Sequence, residues 1–75
     1  MTNSDTDKPW EHPERSDWCE GLHFMVNQIR AGKNQAQVIK ETVDHINKNG
    51  LHFAKSNVAN YYPWLCREVE KERQQ

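Results

Sequence analysis

Apolar residues recur at helical spacing over residues 18–29: Trp18, Leu22, Met25 and Ile29 follow at steps of four, three and four, and Val26 widens the stripe. That spacing puts them on one face of an α-helix, because about 3.6 residues complete a turn. Ser16 is the predicted N-cap, Asp17 and Glu20 suit the positive end of the helix dipole, and Gly32 just after Ala31 is the natural stop. A second helix is predicted after Asn34, whose side chain can cap while Gln37 stands where a capping-box partner belongs, and it closes at Asn49-Gly50. Val38, Ile39, Thr42, Val43 and Ile46 form its inner stripe, with Lys40, Glu41, Asp44, Asn47 and Lys48 largely opposite. Two such helices across a short glycine turn predict a helical hairpin.

The remaining segment carries a capping-type Ser56 and an interrupting Pro63. A proline lacks the amide proton and crowds the preceding turn, so a break is predicted near Tyr62. The expected solution is a short third helix over residues 57–62 and a fourth that starts with Pro63 in its first turn and carries Trp64, Leu65 and Val69 inward. From Glu70 onward no apolar residue remains, and residues 71–75 read as a frayed tail. Residues 1–15 hold one large apolar group, Trp10, among Asp, Ser, Thr, Asn and two prolines, and read as a flexible acidic arm on which Trp10 can dock. The predicted fold is all-α: a small bundle of three to four short helices over residues 16–70, with a disordered N-terminal arm.

Composition narrows this picture. At 75 residues, with 35% hydrophobic content and a mean hydropathy of -1.11, the core must be small, and a homodimer is one way to complete it. The net charge of -1 conceals an uneven distribution. Residues 1–20 hold six acids and two bases, whereas over residues 21–67 the bases Arg30, Lys33, Lys40, Lys48, Lys55 and Arg67 meet only Glu41 and Asp44. A basic centre between acidic ends permits a nucleic-acid partner without requiring one. No apolar run approaches the roughly 20 residues of a membrane span, and the first residues lack a signal peptide's basic and apolar regions. The expectation is a cytoplasmic protein, no membrane partner, and cysteines Cys19 and Cys66 reduced.

Chemistry-bearing patterns are few. Cys19 and His23 share a helical face, but His45, His52 and Cys66 have no spacing that would complete a zinc site. There is no phosphate-binding glycine loop, no nucleophile elbow and no evident carboxylate pair. The reading is therefore not an enzyme, with no cofactor and no metal.

The stretch from Asn49 to Val69, NGLHFAKSNVANYYPWLCREV, resembles helix-turn-helix DNA-binding proteins, in particular resolvase- and transposase-like modules in which a glycine turn precedes a serine-capped helix of the form Ser-x-x-Val-x-x-Tyr. The matching positions are Ser56, Val58 or Ala59, and Tyr61 or Tyr62. The resemblance implies that the helix after the turn enters a major groove, with Lys55 and Ser56 on phosphate and Asn57, Asn60 and Tyr61 toward bases. Arg30, Lys33, Lys48 and Arg67 would be further phosphate contacts. Independently of the resemblance, asparagine can pair bidentately with adenine, and a helix N-terminus offers amide protons to a phosphate oxygen. A dimer is expected, since one short helix reads few base pairs.

A different class of function also fits. Trp10, Tyr61, Tyr62 and Trp64 could form an aromatic surface for a larger protein, Tyr and Trp being rich in contact energy. Exposure of these rings in the free chain is the feature that separates the two readings.

Overall fold

Ser16 opens the first helix as its pattern predicts. In the computed structural model, which describes residues 8–74, the Ser16 hydroxyl accepts the Cys19 amide at 3.2 Å and starts α1, Asp17–Arg30. Asn34 does the same for α2, Gln35–Asn49, accepting the Gln37 amide at 2.9 Å. Each cap satisfies an amide that has no partner inside its helix. At the other ends Gly32 and Gly50 take φ of 85° and 62°, a left-handed conformation that a Cβ would strain. The Lys33 amide then returns to the Gln28 carbonyl at 3.4 Å and the Leu51 amide to that of Ile46 at 3.0 Å. These bonds satisfy last-turn carbonyls in the Schellman manner.

The third helix departs from expectation. α3 runs unbroken from Ser56 to Arg73 with Pro63 inside it, in place of two short helices meeting at Tyr62. Pro63 cannot donate to the Ala59 carbonyl, but both residues are exposed, so water can serve that oxygen. On the inner side Val58, Leu65 and Val69 are buried before and after the proline. Burying each stabilises by roughly 1.5–3 kcal/mol, and together they outweigh the roughly 3 kcal/mol cost of an interior proline. Ser56 is the first helical residue and not the cap; Lys55 holds the cap position without a side-chain bond. Lys71, Glu72 and Arg73, expected to fray, remain helical because Arg30 grips Glu72 through two hydrogen bonds of 3.1 and 2.7 Å.

α1 is the centre of the molecule and is packed against α2, α3 and two short 3-10 turns, Pro9–Glu11 and Pro13–Arg15. Its Leu22, Met25, Val26 and Ile29 meet Val38 and Ile46 of α2 and the buried residues of α3. Thr42, also buried, leaves its hydroxyl unpartnered. Trp18, predicted to begin the α1 stripe, is 38% exposed, while its smaller neighbour Cys19 takes the covered side. The predicted arm is divided. Residues 1–7 lie outside the described residues, but residues 8–15 fold against α1, where Trp10 is 3% exposed and its carbonyl accepts from His23 Nδ1 at 2.9 Å.

Candidate nucleic-acid interface

The residues singled out in the sequence fall on three parts of this frame. Lys55, Ser56, Asn57, Asn60, Tyr61 and Arg67 belong to the start and middle of α3, Lys48 to the last turn of α2, and Arg30 and Lys33 to the end of α1 and the turn after it. On α3, Ser56, Asn60, Pro63 and Arg67 are all exposed. Steps of four, three and four keep them on one outward face, about 16 Å long at the helical rise of about 1.5 Å per residue. Lys55 and Lys48 are exposed as well. Ser56, Asn60 and Arg67 therefore share one exposed, polar face of α3, with Lys55 exposed at its start.

Other candidates are drawn into the fold. Arg30 forms its two-pronged pair with Glu72, and Lys33 Nζ lies 2.7 Å from Glu41 Oε1. Their charges are offset locally, which leaves Lys48, Lys55 and Arg67 as the candidate cations exposed for an external anion. The pairing with Arg30 holds the Glu72 carboxyl below its ordinary range, the hydrogen bond being the main cause, and pushes the Arg30 guanidinium up for the same reason. Asn57 is half-buried. The Asn57 and Val58 amides already donate to the Ala54 and Lys55 carbonyls at 2.9 and 3.1 Å, so they are not the open anion site expected of a helix N-terminus.

Tyr61 is a hub and not a free reader. Its ring meets Phe53, Trp64 and Trp18 edge to face at centroid distances of 6.0, 5.8 and 6.2 Å, and Trp64 in turn meets Trp10 at 5.4 Å. Such edge-to-face pairs add stability beyond area burial. Of the four rings expected on an aromatic surface, Trp10 is core and Tyr61, Tyr62 and Trp64 are half-buried; outside that set, Trp18 is the exposed large apolar side chain among the described residues. The Tyr62 phenol is pushed up from its ordinary value, chiefly by its hydrogen bond with Cys66 and then by burial.

The turn between α2 and α3 makes two contacts with α1 that sequence reading did not anticipate, through Phe53 and His52. Its Phe53 is 7% exposed and packs closely on Gly21 of α1, where an added Cβ would stand 2.4 Å from ring carbon Cδ2. The preceding residue, His52, donates its amide to the Asp17 carboxylate at 2.8 Å. A glycine inside a strongly amphipathic helix is the one sequence signal that could have pointed to close packing there. One turn further along α1, His45 stacks on Phe24 at 4.2 Å and lies 3.3 Å from Glu20, which ties α1 to α2.

Comparison with protein-family models, curated proteins and solved structures finds no match to this chain. The site is thus defined by its own geometry. Among the described residues no cavity is formed, and no three His, Cys, Asp or Glu side chains are placed to share a metal ion. No helix among them is long and apolar enough to cross a membrane.

Proposed function

We propose that this chain is a small DNA-binding regulatory protein that acts by binding and not by catalysis, presenting the outer face of α3 to a major groove. The observation that carries this reading is the two-sidedness of α3: Val58, Leu65 and Val69 lock one face into the core while Ser56, Asn60 and Arg67, with Lys55 at the start, stand exposed on the other. A major groove admits an α-helix, and an exposed asparagine can read adenine while neighbouring cations meet phosphate. The persistence of the helix through Pro63 supports the reading by lengthening the presented face. Lys55, Asn60 and Arg67 bear the main expectations, with Ser56, Asn57 and Lys48 beside them. Arg30 and Lys33, already paired, contribute less, and Tyr61 serves the fold. A dimer would let two such faces read one site.

Titration into random-sequence duplex DNA, followed by fluorescence anisotropy at low and moderate salt, tests the proposal. Binding that weakens steeply with salt is expected, because phosphate contacts release counterions. Lys55→Ala should weaken all duplexes alike, whereas Asn60→Ala should cost roughly 1–3 kcal/mol on a selected site only, as should Asn57→Ala if its half-buried amide reaches a base. No association at low salt would overturn the reading.

One observation favours a second reading, a module that docks on a larger protein. Trp18 lies open beside Tyr61, with Tyr62 and Trp64 half-buried. Under that reading Trp18→Ala abolishes capture of the partner while leaving DNA affinity unchanged.

A further inference from the structure

Three α-helices begin among the described residues, and they begin differently. α1 and α2 have side-chain caps, Ser16 and Asn34, that fix their first turns locally. α3 has none, since Lys55 makes no cap bond and Ser56 already lies inside the helix. Its first amides depend on the carbonyls of Ala54 and Lys55, so the aim of its first turn depends on where the connecting turn is held. The Leu51 amide bonds back to α2 and the Phe53 ring meets Tyr61 of α3, and two further contacts tie the turn to α1: the Asp17 carboxylate accepts the His52 amide at 2.8 Å, and the Phe53 ring packs on Gly21. The Phe53 contact fixes depth. The Asp17 bond is directional and fixes the backbone two residues before Ala54, whose carbonyl receives the Asn57 amide.

We propose that Asp17 is a positioning residue for the DNA-reading face, clamping the turn so that Lys55, Ser56 and Asn60 are presented in register. The inference rests on the DNA-binding reading and deepens it. It runs against simple electrostatics: Asp17 is an anion near a cationic face, so its removal should strengthen non-specific association with phosphate. The clamp instead requires that its removal weaken recognition of a selected sequence.

Asp17→Ala and Asp17→Asn separate the two effects. Both remove the charge, but the asparagine carbonyl oxygen can still accept the His52 amide. Duplex sites are first selected with the parent protein, and affinities for selected and random duplexes are then measured for all three proteins by anisotropy. Amide hydrogen exchange of His52, Phe53 and Asn57 is recorded on the free proteins. Non-specific affinity should rise equally in both variants. The ratio of selected to random affinity should fall about tenfold in Asp17→Ala, the loss expected for one hydrogen bond, and stay near the parental value in Asp17→Asn. Exchange at the three amides should quicken in the alanine variant and not in the asparagine variant. Equal exchange in the two variants would overturn the clamp whatever the DNA results. Quicker exchange in Asp17→Ala with an unchanged affinity ratio would overturn its role in presentation. A parent that binds no duplex at low salt would overturn the DNA reading, and the positioning role with it, while the exchange data still report on the clamp itself.

Discussion

Gly21→Ala sets local helix preference against tertiary packing, with opposite signs. Within a helix, alanine is more favourable than glycine by about 1 kcal/mol, so α1 alone predicts stabilisation. In the folded chain the new methyl would stand 2.4 Å from Phe53 Cδ2 and 2.6 Å from Cε2, well inside contact distance. The ring cannot easily yield, because it is buried and Tyr61 closes on it edge to face at 6.0 Å. Overpacking of this kind costs typically about 1–3 kcal/mol, and full expulsion of the ring would forfeit roughly 1.5–3 kcal/mol of burial. After the gain in helix propensity, the expected outcome is a net loss of up to about 2 kcal/mol. For a domain of this size that lowers Tm by up to roughly 16 °C. Thermal unfolding followed by circular dichroism measures it directly, and a Phe53→Leu background supplies the control. With the ring removed, Gly21→Ala should become neutral or stabilising, so the two substitutions should be strongly non-additive. An alanine variant more stable than the parent when Phe53 is intact would refute the close-packing argument.

Pro63→Ala should stabilise the chain by about 1–3 kcal/mol, since it restores the bond to the Ala59 carbonyl and relieves the crowding, less a small gain in unfolded-state freedom; the urea midpoint reads this, and an unchanged or lowered midpoint would show that α3 tolerates the proline without cost. Glu72→Gln should remove about 0.5–1 kcal/mol near neutral pH, a figure kept low because both partners are partly exposed. The sign follows from the carboxyl being held below its ordinary value: the contribution is fully present above the unfolded value of about 4.3 and disappears as pH falls through the lower folded value. Parent and variant stability curves should therefore converge in acid, and a gap that persists there would assign the loss to packing.

Much of the architecture was legible before any coordinates. The caps Ser16 and Asn34, the stops Gly32 and Gly50, and the stripes of α1 and α2 are local signals, carried by residues within one or two turns of each other, and apart from Trp18 at the start of the α1 stripe each appears in the structure where its pattern placed it. The all-α class follows from them. The outcome at Pro63 was not legible, because the local cost of a proline is visible in sequence while the gain from burying Val58, Leu65 and Val69 against α1 is not. The reach of α3 to Arg73 likewise depends on Arg30, 42 residues earlier than Glu72 in the chain. Composition called the candidate cations one basic centre; only the tertiary structure showed that Arg30 and Lys33 are spent on Glu72 and Glu41 while Lys55 and Arg67 stay exposed. The same holds for the aromatic residues, which sequence could count but not sort into the buried Trp10, the Tyr61 hub and the open Trp18. Local order was written in short-range pattern, whereas burial and charge pairing are set by contacts between residues distant in sequence, and those contacts decide which side chains this protein has left to offer a partner.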